Sequence, residues 1–126
     1  MTAKAFSAVL ATAVLLAAGH ALAQPMTLET DGGEVLVGEG EMTLYTFRND
    51  EEGVSNCYDQ CAENWPPFLA EEGAVAEEPY SLVERTDGTL QWAYNGLPLY
   101  YWIQDAEPGD TTGDGVGGNW DVARPE

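Results

Sequence analysis

One phrase occurs twice in this chain, fifty-five residues apart: Leu44-Tyr45-Thr46-Phe47-Arg48-Asn49-Asp50 and Leu99-Tyr100-Tyr101-Trp102-Ile103-Gln104-Asp105. Each copy reads Leu-Tyr, any residue, an aromatic, two residues and an Asp. Fifteen positions after each Asp comes a Trp, Trp65 or Trp120, preceded by Asn64 or Asn119. A spacing shared over that much sequence points to one structural unit, duplicated. A fold for this chain must therefore seat the same short element twice.

Residues 1–23 read as a cleaved export signal: Lys4, an apolar stretch through Val14-Leu15-Leu16, and Ala21-Leu22-Ala23 as the cleavage site. The apolar run is too short to span a bilayer, and no Cys follows the cleavage site to be lipidated. The expectation is an unanchored protein of the periplasm or the extracellular space, residues 24–126 forming one domain. Lys4 and His20 leave with the leader, so the remaining residues contain neither Lys nor His. That removes Ser-His and Cys-His pairs, Schiff-base lysines and imidazole ligands, and makes an enzyme the less expected reading.

Three Arg against twenty-two Asp and Glu give residues 24–126 a formal net charge of −19. Such a field repels nucleic acid and anionic lipid and concentrates cations. The acidic residues run from Glu29 to Glu126 without forming a block, which suits a solvated surface.

The expected fold class is mainly β, a single domain of two hairpin or meander half-units, about 34–69 and 80–122. In the first, Glu34 to Val37 and Met42 to Phe47 read as a hairpin. Ser55 then caps a short helix, residues 56–63, that carries Cys57 and Cys61. In the second, Tyr80 to Glu84, Leu90 to Tyr94 and Leu99 to Ile103 read as a meander turning at Asp87-Gly88 and Asn95-Gly96. Residues 70–79 read as an exposed connection.

Alternation along a strand puts Tyr45 with Phe47, and Tyr100 with Trp102, on one face, and Leu44 and Leu99 on the other. Both faces are apolar, as in covered central strands. Asp50 and Asp105 fall just past the strand ends, where a carboxylate fixes a turn; the alternative is that Tyr and Asp of both copies line a ligand pocket. Trp65 and Trp120 are core residues or platforms for a sugar or peptide. Cys57 and Cys61, the only thiols, are expected to form a disulfide in an oxidising compartment. A redox centre is the alternative, disfavoured by the spacing and by Asp59 and Glu63 nearby. Asp110, Thr112, Asp114 and Asp121 occupy calcium-loop spacings around Gly115, so weak Ca2+ binding is a further alternative to having no cofactor. The loop lacks a preceding helix and has Asp rather than Glu at its last position.

Gly40 to Phe47, Ser55-x-Cys57-x-x-x-Cys61-Ala62-x-x-Trp65-Pro66-Pro67, Arg85-x-Asp87-Gly88, Tyr94-x-Gly96-x-Pro98-Leu99-Tyr100 and Pro108-Gly109-Asp110-Thr111 together resemble the bacterial secreted-repeat family. It is also described as predicted lipoproteins with a Yx(FWY)xxD motif. The resemblance runs from about Val35 to Asp121. It implies an extracytoplasmic module in two tandem copies and supplies no catalytic residues. Two departures are visible: no lipobox Cys is present, and Asp114 stands where relatives are expected to have Gln. The functional expectation is a non-enzymatic binding or interaction module whose partner is a protein, a glycan or a small molecule.

Overall fold

The computed structural model describes residues 24–126; the expected export signal, residues 1–23, lies outside the described residues. Among the described residues, seven strands and one α-helix follow in order: β1 (Met26–Thr30), β2 (Gly33–Val37), β3 (Tyr45–Phe47), α1 (Gln60–Asn64), β4 (Tyr80–Glu84), β5 (Leu90–Tyr94), β6 (Leu97–Pro98) and β7 (Trp120–Val122). The architecture is mainly β, as expected.

The middle of the molecule is an antiparallel pairing of the two copies of the repeated phrase. Tyr45 and Tyr100 exchange both backbone bonds: Tyr45 N–H donates to the Tyr100 carbonyl at 2.8 Å and Tyr100 N–H to that of Tyr45 at 3.0 Å. On the outer side of β3 lies β7, with Tyr45 opposite Val122 and Phe47 opposite Trp120. On the outer side of Tyr100 lies the segment after α1, with Tyr100 opposite Pro67. Adding fifty-five to the first half's numbers reproduces the pattern. Arg48 N–H donates to the Asn119 carbonyl (2.7 Å) as Ile103 N–H does to Asn64 (3.1 Å), and Ala123 N–H to Leu44 (2.9 Å) as Phe68 N–H to Leu99 (3.0 Å). A pseudo-twofold axis therefore passes between Tyr45 and Tyr100. The Asn before each Trp matters through its backbone, because its carbonyl closes the pairing with the strand of the other half.

The two apolar faces of these strands separate two clusters. Tyr45, Tyr100, Trp65, Trp120, Cys57 and Val122 form one; Leu36, Leu44, Phe68, Trp92, Leu99 and Ala123 form the other. Alternation along the repeated phrase dictates this division.

Three elements differ from the sequence reading. First, β2 pairs along its whole length with β1, turning over Asp31-Gly32; the expected hairpin of Glu34–Val37 with Met42–Phe47 is present only as a short antiparallel contact, Val37 opposite Thr43, with Leu44 N–H donating to the Leu36 carbonyl at 2.9 Å. β1 is polar enough to read as coil, because as an edge strand it covers the core with little more than Leu28. After Val37, a 3-10 turn at Glu39–Glu41 takes the chain away through Gly40 at φ 66°. Second, the helix spans Gln60–Asn64 and not 56–63, so Cys61 lies within it and Cys57 just ahead of it. Ser55 does not cap it; its hydroxyl is turned inward to Tyr100. The Cys57–Cys61 disulfide is present. Third, the meander's last strand is only Leu97–Pro98, reached by a turn in which Asn95 and Gly96 both have positive φ (51° and 85°). Beyond it Leu99 N–H still bonds the Trp92 carbonyl, and Tyr100 N–H turns to Tyr45. The chain thus passes from one sheet to the other. The connection over residues 70–79 is mostly exposed, with Ala74 and Ala76 packed on the second cluster.

The glycine-rich loop before β7 presses on the core at Gly113. A Cβ there would come within 2.9 Å of both the Trp102 and the Trp65 rings. Gly113→Ala is expected to destabilise the fold by about 1–3 kcal/mol, the usual cost of overpacking, measured by urea unfolding. An unchanged midpoint would show that the rings can move aside.

Candidate functional site

The repeated residues meet around the pseudo-twofold axis, and their side chains are exchanged between halves. Tyr45 of the first half donates its hydroxyl proton to Asp105 Oδ2 of the second at 2.7 Å. Tyr100 of the second donates to Asp50 Oδ2 of the first, also at 2.7 Å. Each Asp uses its other oxygen on its own loop. Asp50 Oδ1 accepts from Asn56 N–H at 2.6 Å; Asp105 Oδ1 accepts from the N–H and hydroxyl of Thr112 at 3.0 and 2.6 Å. The N–H groups they accept lie six and seven residues on rather than the one to three of a tight turn, so each carboxylate closes a longer loop while anchoring the tyrosine of the opposite half.

The rings obey the same symmetry. Trp65 and Trp120 stack across the axis with centroids 3.8 Å apart and planes 3° apart. Phe47 stacks on Trp120 at 4.3 Å and Trp102 on Trp65 at 4.0 Å, giving the pile Phe47, Trp120, Trp65, Trp102. Tyr45 stands edge-on to Trp65 at 5.3 Å, as Tyr100 does to Trp120 at 5.2 Å. Each such pair adds about 0.5–1.5 kcal/mol beyond the area it buries.

Tyr45 and Tyr100 are fully buried, and Trp65 and Trp120 nearly so. Burial pushes both hydroxyls well above the usual phenol range; the carboxylate each one faces adds to the shift. Both tyrosines are therefore neutral hydrogen-bond donors. The Asp50 carboxyl is held above the usual carboxylate range by burial, against the opposing pull of the Tyr100 and Asn56 bonds and the Arg85 charge.

The sequence reading missed a polar chain that leads inward from Tyr100. Ser55 Oγ lies 2.6 Å from the Tyr100 hydroxyl and accepts from Arg85 Nη1 at 3.0 Å. Arg85 also donates to Gln91 Oε1 and the Cys57 carbonyl, both at 2.8 Å, and lies 4.3 Å above the Tyr58 ring. It is only 5% exposed. Its signals in the sequence are its rarity, as one of three Arg in an acidic domain, and its place in the Arg85-x-Asp87-Gly88 motif, neither of which says that it is buried. In the other half the matching hydroxyl, Tyr45, is met by the Gly113 N–H instead, at 3.1 Å.

The four residues of the calcium-loop pattern have separate engagements. Asp110 Oδ2 accepts from Ala106 and Glu107 N–H, Thr112 holds Asp105, and Asp114 Oδ1 accepts from Val122 N–H. Asp121 pairs bidentately with Arg48 at 2.8 Å. Among the described residues no three His, Cys, Asp or Glu side chains converge as metal ligands. Half-buried Phe47 and Trp102, at the ends of the ring pile, are the repeated aromatics that reach the surface.

A family model described as a secreted repeat of unknown function matches the chain twice, at residues 26–68 and 81–124. The chain belongs to this family. Each matched segment contributes one hairpin, one repeated phrase and one Trp of the central stacked pair, Trp65 or Trp120. Membership of a secreted-repeat family, with the disulfide, makes this an exported protein. No curated protein and no solved structure matches it.

Two outcomes are expected for the secreted-repeat core. Tyr45→Phe leaves Asp105 Oδ2 and the Gly113 N–H without their partner, and Tyr100→Phe does the same to Asp50 Oδ2 and removes one of the two partners of Ser55 Oγ. Each should cost about 2–3 kcal/mol in urea unfolding, and a loss under about 0.5 kcal/mol for both would deny the exchange its structural weight. The second outcome concerns pH. Asp50 has a folded pKa above its unfolded one, so its contribution to stability is complete below the unfolded pKa and is lost as pH rises through the folded pKa. Asp50→Asn removes that titration. Wild type should therefore gain on the variant as pH is lowered from neutral through the carboxylate range; a stability difference independent of pH would contradict the assignment.

Proposed function

We propose that the protein is an exported binding module that carries out no covalent chemistry, with the duplicated motif as its frame and the surface outside the motif as its recognition face. The observation that carries this reading is the commitment of the motif's polar atoms. Both tyrosine hydroxyls donate to buried carboxylates of the opposite half, and neither is poised to act as a nucleophile or base. The absence of His and Lys from residues 24–126 argues the same way. Twenty-two acidic residues against three Arg favour ligands that are neutral or cationic over nucleic acid and anionic lipid.

The test is an immobilised-protein screen against cationic, neutral and anionic peptides, glycans and small organic molecules, run with wild type and Tyr45→Phe. The variant alters a buried hydroxyl and no surface atom. Binding to at least one class is expected, with the variant within about twofold of wild type below its own melting temperature. Silence across every class, or recovery of a covalently altered ligand, would overturn the reading.

A further inference from the structure

The two ends of the ring pile are related by the pseudo-twofold axis, yet they are finished differently. At the Phe47 end, the neighbours in the fifty-five-residue correspondence are Arg48 and Asp121, which form a surface ion pair at 2.8 Å. At the Trp102 end the corresponding residues are Ile103 and Pro66. A polar clasp in one half is thus an apolar rim in the other. Ile103 is 53% exposed, and beside it lies a surface pocket of about 350 Å3 lined by Trp102, Tyr101, Pro66, Met42, Glu39 and Thr43, with Asp105 behind.

Two further observations point to a ligand. Thr43 is 1% exposed, and its Oγ1 is one of two buried side-chain polar atoms without a hydrogen-bond partner among the described residues. A buried hydroxyl in that state costs free energy unless something completes it. The corresponding residue in the other half is Pro98, which has no hydroxyl, so the group is peculiar to this end. The charge around the pocket is also one-sided. Its ionisable lining residues include the carboxylates Glu39 and Asp105 and no Arg or Lys, in a domain whose net charge is −19 from three Arg and twenty-two acidic residues.

We infer that the Trp102 pocket is a binding site for a small organic cation of the quaternary-ammonium class that also carries a hydrogen-bonding group. The inference rests on the binding-module reading and gives that module a site. Trp presents the strongest face to an alkylammonium group, and Tyr101 supplies a second ring whose hydroxyl is already tied to the Glu39 N–H at 2.9 Å. The carboxylates attract the cation, Ile103, Met42 and Pro66 cover its methyl groups, and the Thr43 hydroxyl, closed to solvent, takes the polar end once the side chains above it move aside. The volume is at the lower end of the range for small-molecule sites and suits a ligand of this size.

The experiment uses choline and its uncharged isostere 3,3-dimethylbutan-1-ol, titrated into the purified protein while the four Trp indole N–H signals are followed by NMR. Choline should shift the Trp102 signal, identified with Trp102→Phe, in a saturable way, and should bind at least fivefold more tightly than the isostere. Glu39→Gln, an exposed position that leaves the fold untouched, should weaken choline by twofold to fivefold, and Thr43→Val by threefold or more. Trp102→Leu should abolish saturation; melting curves report whether it is folded, and the Glu39 and Thr43 variants decide the matter if it is not. Equal binding of choline and isostere, shifts at Trp92 in place of Trp102, indifference to both Glu39→Gln and Thr43→Val, or no binding would each overturn the site. Should choline fail while the ligand screen above finds a partner, this site falls and the module reading stands; failure of both removes both.

Discussion

The structure hangs on the reciprocal exchange of a hydroxyl and a carboxylate between its halves. Each tyrosine crosses the pseudo-twofold axis to bond the aspartate of the other copy, at 2.7 Å in both cases. Neither half can satisfy its own motif. Alone, each would leave a buried phenol and a turn carboxylate without their best partners, an arrangement that water would have to repair. The exchange explains why the motif links an aromatic strand residue to an Asp several positions on. The Asp is fixed by its own loop, and its second oxygen is thereby aimed outward at the neighbour.

The ring pile acts in parallel with this exchange. Four aromatics, two from each half, alternate across the axis, so the stacking surface of each half is completed by the other. Hydrogen bonds give the exchange direction, and the rings give it area. Their combination accounts for a core of modest size in which both tyrosine hydroxyls are buried and bonded. Where symmetry breaks, the departures are local. Arg85, Ser55 and Gln91 serve one tyrosine and the Gly113 N–H serves the other. An ion pair closes one end of the pile; Ile103 and Pro66 leave the other end apolar. In a duplicated frame such differences mark where one half has acquired a role the other lacks.

Much of the frame was legible in residue patterns. The period of two along Leu44-Tyr45 and Leu99-Tyr100 assigned side chains to the correct faces, and Asn95-Gly96 marked its hairpin turn, because both signals are local and steric. β1 was not legible, since an edge strand need not be apolar. The helix start was misplaced, because the Ser55 hydroxyl has a long-range partner in Tyr100 that outcompetes the local cap. The Asp110 to Asp121 pattern has the spacing of a calcium loop, yet each side chain has a different neighbour. Spacing fixes distance along the chain and says little about direction in space. The Arg85-x-Asp87-Gly88 motif named Arg85 but not its burial, because burial of a single cation depends on acceptors contributed by segments up to thirty residues away.

The sequence by itself determined that there are two like units, that their strands have two apolar faces, and that the two cysteines can bridge across a short loop. Those properties follow from side-chain volume, polarity and separation along the backbone. Only the tertiary structure decided that each Tyr bonds the Asp of the other unit, that Trp65 and Trp120 face each other, and that one end of the pile lies open beside Thr43. Pairing partners distant in sequence is a choice among contacts of similar local energy. That choice is made by the packing of both halves at once, in an arrangement that buries Tyr45, Tyr100, Trp65 and Trp120 and also brings each hydroxyl to a carboxylate.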